Sequence, residues 1–283
     1  MKKACIYHAG CPDGFGAAWA VRAGWGDDIQ FIPRGHDDAL EAKRFEGDRV
    51  LFVDIAPPPP AYARLAEHVA QLIVLDHHIS ALNSFVAVNG LAEELEADGH
   101  EIRFDLDHSG AMLAWRWLFE DETPPAMIAY VEDQDLWRWS LPDTREVNAT
   151  ICAAPRTFEA WDALAARSVD DLANEGTPIV RSNRIEVERA LNAVHPVSIG
   201  GLRVEAVNSR FQRAEIGHEL AERGAFGNPC GAVYRITGQR VDISIYSIGE
   251  FDVSTIAGNY GGGGHRNAAG FSVRLSDWSE HFA

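Results

Sequence analysis

The sequence has no hydrophobic run long enough to cross a membrane. Hydrophobic residues make up 46% of its 283 residues, yet they never form the roughly 18-residue apolar stretch that a spanning helix needs. The N-terminus carries Lys2 and Lys3, but no apolar segment of the kind found in secretory signals follows them. We therefore expect no membrane contact and a location in the cytoplasm.

Cysteine is scarce. The four cysteines are scattered along the chain, and no two of them form a C-x-x-C pair. This pattern excludes a disulfide framework and a zinc finger, and it fits a reducing compartment.

Basic residues are too few for a protein that coats nucleic acid duplexes. Lys and Arg number 25 against 42 Asp and Glu, which gives a formal net charge of −17. Residues 1–196 hold 17 of the bases and 33 of the acids, whereas residues 197–283 hold 8 arginines, no lysine and 9 acids. A duplex-binding protein needs a basic face to neutralise phosphates. The charge therefore favours small substrates over long duplexes.

Short apolar segments alternate with helical segments in the first part of the chain. Segments rich in Val, Ile and Leu, separated by helices, predict a parallel sheet that is covered on both faces. The predicted strands are Lys3–His8, Ile29–Pro33, Arg49–Asp54 and Gln71–Asp76, and the predicted helices are 16–23, 61–70, 91–98, 110–119 and 125–132.

The pattern changes beyond Val197 to short alternating strands with one helix at about 215–223. We therefore predict an α/β fold. It has an N-terminal parallel-sheet, Rossmann-like domain at 1–155, a helical connector at 156–196, and a smaller α+β domain at 197–283. We expect a cleft between the two domains.

Three predicted strands end in side chains that bind metals. The first ends at His8 and leads to Asp13, the third ends at Asp54, and the fourth ends in Asp76–His78; a further acidic cluster, Glu132–Asp135, follows a predicted helix. Ligands bind at the carboxyl ends of parallel strands. Because carboxylates alone would repel one another, this set predicts a divalent cation, and mixed imidazole and carboxylate ligands suit Mn²⁺, Fe²⁺, Co²⁺ or Zn²⁺ better than Ca²⁺.

These segments resemble the motifs of the DHH phosphoesterase superfamily, which includes RecJ-type exonucleases, nano-RNases, cyclic-dinucleotide phosphodiesterases and family II pyrophosphatases. Asp76–His78 resembles the signature tripeptide, His8–Gly14 the first motif, Asp54 the second and Asp133 the fourth. Gly261–Phe271 resembles the glycine-rich motif of the DHH-associated C-terminal domain. The resemblance spans nearly the whole chain, with all five motifs in order.

The resemblance implies a centre with two Mn²⁺ ions, with Mg²⁺, Co²⁺ or Fe²⁺ as alternatives. His8 and Asp13 would hold one ion, Asp54 would bridge both, and His77 and Asp133 would hold the second. Two such ions catalyse in-line displacement at phosphorus.

The remaining residues of the signature tripeptide receive roles in the same way. Asp76 would orient the histidine loop, and His78 would lie close to the scissile phosphate. The predicted catalytic residues are therefore Asp54 and His78.

The chain departs from the family pattern at Phe15. The family's first motif carries a second aspartate at this position, so one metal ligand is missing here. Asp135 and His36 are the candidates to replace it.

The glycine-rich motif is predicted to bind the substrate phosphate. Glycine lets backbone N–H groups approach a phosphate closely, and neighbouring His and Arg side chains add charge-assisted hydrogen bonds. The predicted substrate-binding residues are Gly262, Gly263, Gly264, His265, Arg266, Asn267 and Arg210.

Together these features predict a metal-dependent phosphodiesterase or exonuclease that hydrolyses short oligonucleotides or small nucleotide phosphodiesters by a two-metal mechanism. One alternative is a hydrolase of pyrophosphate or polyphosphate. Another, motivated by Phe15, is a nucleotide-binding protein with weakened catalysis. The expected partner is the nucleotide or phosphate substrate, and the sequence leaves a homodimer open.

Overall fold

The computed structural model describes residues 1–35, 38–120 and 122–282, and of residue 281 only the backbone. The chain forms two compact units, Met1–Val180 and the part from Arg181 onward.

A parallel five-stranded sheet forms the centre of the first unit. Its strands lie in the order β2-β1-β3-β4-β5, and every neighbouring pair is parallel. The central strands are apolar and buried on both faces, which is the pattern of a sheet with helices on either side. The strands are β1 (Lys3–His8), β2 (Gln30–Arg34), β3 (Arg49–Val53), β4 (Gln71–Asp76) and β5 (Glu101–Phe104).

Two hydrophobic cores fill the space between this sheet and its helices. Successive side chains of a strand point to opposite faces, so Leu51 and Val53 pack in one core, whereas Val50 and Phe52 pack in the other. The first core is covered by α1, α5, α6, α7, α8 and the start of α9, and the second by α2, α3 and α4. These helices are α1 (Pro12–Trp25), α2 (Pro59–Ala66), α3 (Ile79–Val86), α4 (Leu91–Ala97), α5 (Gly110–Phe119), α6 (Ala126–Asp135), α7 (Thr144–Ala153), α8 (Phe158–Ala165) and α9 (Val169–Ala190).

The segment predicted as a connector is helical, and much of it packs onto the first unit. Trp161 on α8 and Leu172 on α9 are buried in the first core. The chain passes into the second unit within α9, after Val180.

The second unit contains a six-stranded mixed sheet in the order β10-β11-β9-β8-β7-β6. Strands β7 and β8 pair in parallel, and the other neighbours are antiparallel. Its strands are β6 (His195–Ile199), β7 (Leu202–Asn208), β8 (Cys230–Thr237), β9 (Arg240–Ser247), β10 (Gly263–His265) and β11 (Ala268–Arg274), and its helices are α10 (Arg213–Arg223), α11 (Val253–Gly258) and α12 (Leu275–His281).

The predicted fold class, a parallel-sheet α/β domain followed by a smaller α+β domain, is confirmed. Within the described ranges, no helix combines the length and the apolar character needed to cross a lipid bilayer.

Candidate metal centre

The centre lies at the carboxyl edge of the parallel sheet. His8 is the last residue of β1, Asp54 directly follows β3, and Asp76 is the last residue of β4. The register pairs Val53 with Leu75, and the backbone N–H of Asp54 donates to the Leu75 carbonyl at 3.0 Å. The sheet itself therefore sets these side chains side by side, as expected for parallel strands.

Asp54 lies between two groups of metal-binding side chains. Its Oδ1 is 2.9 Å from His77 Nε2, whereas its Oδ2 is 3.4 Å from His8 Nδ1 and 3.2 Å from Cys11 Sγ. The residue adopts a positive φ of 57°, which is strained for a residue other than glycine and is typical of functional sites. Each oxygen of one carboxylate thus faces a different group.

The environment keeps Asp54 ionised. Its side chain is 2% exposed, and such burial acts to raise the pKa of a carboxyl group. Hydrogen bonds with His77 and His8 outweigh burial and hold the pKa of Asp54 well below its ordinary value. The carboxylate therefore carries its negative charge between the two groups.

Asp13 and Asp135 surround His77 on the Oδ1 side of Asp54. His77 Nε2 lies 3.5 Å from Asp13 Oδ2 and 3.6 Å from Asp135 Oδ2. Burial acts to lower the pKa of His77, but the hydrogen bond with Asp54 and the charges of the three aspartates raise it to about 10. The resemblance implied that Asp13 pairs with His8; in the structure it groups with His77 and Asp135.

Asp13 is fixed by the N-terminus of α5. Its Oδ2 accepts a hydrogen bond from the Gly110 N–H at 2.6 Å, and its Oδ1 accepts one from the Ala111 N–H at 3.0 Å. Burial and the charges of Asp54 and Asp135 raise the pKa of Asp13 well above its ordinary value. The helix N-terminus holds a carboxylate in a place where its neighbours repel it.

Gly110 was not anticipated from the sequence. A Cβ at this position would lie 2.4 Å from Asp54 Cβ and 2.9 Å from Asp13 Oδ2. Only glycine lets the start of α5 approach both carboxylates this closely. No local motif signals this requirement, because the contacts join segments far apart in the chain.

Asp76 holds the histidine loop in place. Its Oδ1 accepts hydrogen bonds from the backbone N–H groups of His77 at 2.8 Å and His78 at 3.3 Å, and it lies 2.7 Å from His78 Nδ1. Burial acts to lower the pKa of His78, but Asp76 outweighs it and raises that pKa. These contacts have the geometry that an orienting carboxylate requires.

Asp133 and Asp135 lie on different sides of α6. The helix runs through Asp135 rather than ending at the predicted residue 132. Positions i and i+2 of a helix are rotated about 200° from each other around its axis, so Asp133 and Asp135 cannot face the same way. The Asp133 carboxylate accepts hydrogen bonds from the N–H and Oγ of Ser140 and from the Leu141 N–H.

The structure therefore does not bring Asp133, the predicted ligand, to the centre. It brings Asp135, which the sequence offered only as a replacement for the ligand missing at Phe15. Helix periodicity alone would have separated the two aspartates had the end of the helix been predicted correctly.

Phe15 does not face the ligand groups. Its ring stacks on Phe158 at 5.3 Å and meets Trp161 edge-on at 5.1 Å in the first core. The other predicted replacement, His36, lies outside the described residues. Cys11, for which the sequence predicted no ligand role, lies beside His8 and Asp54.

The predicted phosphate-binding residues of the second unit form part of a hairpin. In the register of β10 with β11, Gly263 pairs with Gly270 and His265 with Ala268. A Cβ at residue 262 would lie 2.0 Å from the Gly270 carbonyl oxygen, so glycine is required for this pairing. Contact with a phosphate by 262–265 remains a prediction.

The three other predicted binding residues differ in what they contact. The side-chain amide of Asn267 donates to Ser247 Oγ at 2.9 Å and to the Gly249 carbonyl at 3.0 Å, which ties the hairpin to the end of β9. Arg266 pairs with Glu250. Arg210 is exposed in the loop between β7 and α10.

The donor set of the first unit fits divalent cations. Carboxylates, imidazoles and a thiol converge at the sheet edge, and Asp13 and Asp54 are both almost completely buried. The buried Oδ2 of Asp135 accepts no hydrogen bond from any residue that the structure describes. Cations would offset the mutual repulsion of the carboxylates and would satisfy this oxygen.

Sequence comparison finds a viral relative of this chain. No family model matches the sequence. An uncharacterised protein of Acanthamoeba polyphaga mimivirus is 25% identical over 292 residues, a match that covers 94% of this chain and 66% of the viral protein. The chain thus spans just under two thirds of the length of this relative.

Two solved structures resemble the chain. A pGpG-specific phosphodiesterase from Vibrio cholerae has a TM-score of 0.50 at 13% identity, over 99% of this chain and 95% of that one. An exopolyphosphatase-related protein from Bacteroides fragilis has a TM-score of 0.46 at 13% identity, over 95% and 86% of the two chains. The likeness to the Vibrio cholerae structure shows that this chain and that enzyme share a fold.

Proposed function

We propose that this protein is a divalent-metal-dependent phosphodiesterase that hydrolyses short oligonucleotides or small nucleotide phosphodiesters. The observation that carries the proposal is the position of Asp54, whose two oxygens face two separate groups of metal-binding side chains. A shared carboxylate of this kind is what a two-metal phosphoesterase requires.

The residues of the first unit would divide into two ligand groups. His8 and Asp54 Oδ2 would hold one cation, and Asp13, His77, Asp135 and Asp54 Oδ1 would hold the other. Mn²⁺ is the proposed ion, with Mg²⁺, Co²⁺ or Fe²⁺ as alternatives. The chemistry that a pair of divalent cations supplies is the activation of a water molecule and the stabilisation of negative charge on the phosphate.

His78 would act on the phosphate itself. Its Nδ1 is engaged by Asp76, so Nε2 is the nitrogen that would donate to a phosphate oxygen. The carboxylate of Asp76 also raises the pKa of the ring, which favours the protonated, donating form. His78 would therefore stabilise negative charge on the phosphate during the reaction.

Charge and fold both support a small substrate. Residues 1–196 hold 33 acids against 17 bases, which disfavours a long duplex. The structural neighbour from Vibrio cholerae is named for pGpG, a linear dinucleotide, which is a phosphodiester of the proposed size.

The test is hydrolysis by metal-free protein with and without added Mn²⁺. We would offer pGpG, a five-nucleotide RNA, a cyclic dinucleotide and pyrophosphate, and detect mononucleotides and phosphate by chromatography. Mn²⁺-dependent release of mononucleotides from the linear substrates is expected. Turnover in excess chelator would overturn metal dependence, and turnover of pyrophosphate alone, or binding without turnover, would overturn the phosphodiesterase assignment.

A variant pair ties the activity to the shared carboxylate. Asp54→Asn should lower kcat/KM by at least about 10³-fold, equivalent to roughly 4 kcal/mol of barrier. Asp28→Asn, at an exposed position in the same unit, should leave it unchanged. Retention of more than a tenth of the rate by Asp54→Asn would show that the ligand assignment is wrong.

A further inference from the structure

Cys11 forms a tight triangle with two proposed metal ligands. Its Sγ lies 3.3 Å from His8 Nδ1 and 3.2 Å from Asp54 Oδ2, and the latter two atoms are 3.4 Å apart. Bonds from Zn²⁺ to sulfur, nitrogen and oxygen ligands are about 2.0–2.3 Å long. Two ligand atoms that subtend an angle of about 90–109° at the metal therefore lie about 3.0–3.6 Å from each other. All three edges of the triangle fall in this range.

The His8 group lacks a ligand if Cys11 is left out. Asp13, which the family resemblance assigns to His8, groups instead with His77 and Asp135 and is held there by the N-terminus of α5. Phe15, which stands where the family has its second aspartate, is buried among aromatic rings of the core.

We propose that Cys11 is the third protein ligand of the cation at His8, and that its sulfur makes this position prefer a thiophilic ion such as Zn²⁺, Co²⁺ or Fe²⁺ over Mg²⁺. The proposal rests on the metal centre of the proposed function. On binding, the thiol proton leaves to solvent as the bond between Sγ and the metal forms. Thiolate is a soft ligand, and soft ligands select such ions over Mg²⁺.

A structural role for Cys11 makes a different prediction. Its Sγ accepts a hydrogen bond from the Gly14 N–H at 3.2 Å and so caps α1. Serine is among the best N-terminal caps and can also donate to Asp54. Cys11→Ser should therefore preserve the cap and remove only the sulfur.

The experiment is a Co²⁺ titration of the metal-free protein followed by absorption. Wild type and Cys152→Ser, a control at an exposed cysteine on α7, should both show a thiolate-to-cobalt charge-transfer band in the near ultraviolet. Cys11→Ser should lose this band while it still binds cobalt. Its affinity for Zn²⁺ should fall by about tenfold or more, and its affinity for Mg²⁺ should change less.

The outcomes separate this proposal from the proposed function. Cobalt binding without the charge-transfer band in wild type would overturn the role of Cys11 and leave the metal centre intact, whereas the absence of any cobalt binding would overturn both. Should Cys11→Ser fail to fold, cysteine alkylation of the wild-type protein, mapped by mass spectrometry with and without Zn²⁺, tests the proposal instead. Zn²⁺ should protect Cys11 and not Cys152, and equal alkylation of Cys11 with and without Zn²⁺ would overturn the proposal.

Discussion

Replacing Gly110 with alanine should damage the centre although the substitution favours a helix. The Cβ of Gly110→Ala would lie 2.4 Å from Asp54 Cβ and 2.9 Å from Asp13 Oδ2. Carbon atoms in good contact are about 3.5–4.0 Å apart. The start of α5 would therefore have to move by about 1 Å, and the two N–H groups that hold Asp13 would move with it.

Two opposing effects set the size of the change at Gly110. Alanine in place of glycine stabilises a helix by about 0.4–1 kcal/mol where there is room for it. Forcing a methyl group into a filled space costs about 1–3 kcal/mol. We expect Gly110→Ala to lower the free energy of unfolding of the first unit by about 1–2 kcal/mol and to weaken cation binding.

Urea unfolding followed by tryptophan fluorescence measures this change, because seven of the eight tryptophans lie in the first unit. The matched control is Gly258→Ala, because Gly258 is the last residue of α11 and nothing would lie within 4 Å of a new Cβ there. The stability of the control, followed by far-ultraviolet circular dichroism, should be unchanged or higher. If Gly110→Ala were as stable as wild type and bound Co²⁺ equally well, the close approach of α5 to the carboxylates would be refuted.

Three further predictions concern aspartates, one proposed as a metal ligand and two that stabilise the fold. Asp135→Asn should lower Co²⁺ affinity by about tenfold or more with little change in stability, whereas Asp133→Asn should lower the free energy of unfolding by about 1–3 kcal/mol with little change in affinity. Calorimetric titration and urea unfolding of both variants check this, and the reverse pattern would make Asp133 the ligand. In the second unit, burial acts to raise the pKa of Asp242, but hydrogen bonds from Ser272 and two arginines outweigh it and lower that pKa. Because the folded-state pKa is the lower one, this carboxylate stabilises the fold above its unfolded pKa of about 3.9, and the contribution is lost as the pH falls through the folded-state pKa. Below about pH 4 the free energy of unfolding of Asp242→Asn, followed by circular dichroism, should therefore fall less steeply than that of wild type. The same fall in variant and wild type would contradict this assignment.

The sequence by itself determined the fold class and the edge at which the centre lies. Segments such as Leu72–Leu75 are apolar throughout and lead directly into polar side chains. The apolar segment and its polar end are both local properties of the chain. Parallel strands bring their carboxyl ends to one edge of the sheet, whatever the packing of the connecting helices. His8, Asp54 and His77 could therefore be placed together without any knowledge of the packing.

Only the tertiary structure decided which neighbours each of these residues has. Asp135 rather than Asp133 faces His77 because α6 continues past its predicted end, and one extra turn decides which side chain points inward. Asp13 groups with His77 because the N–H groups of Gly110 and Ala111, almost 100 residues away in the chain, hold its carboxylate. Contacts between such distant segments leave no local pattern in a sequence, since they depend on how helices pack against the sheet rather than on the order of residues within any one element.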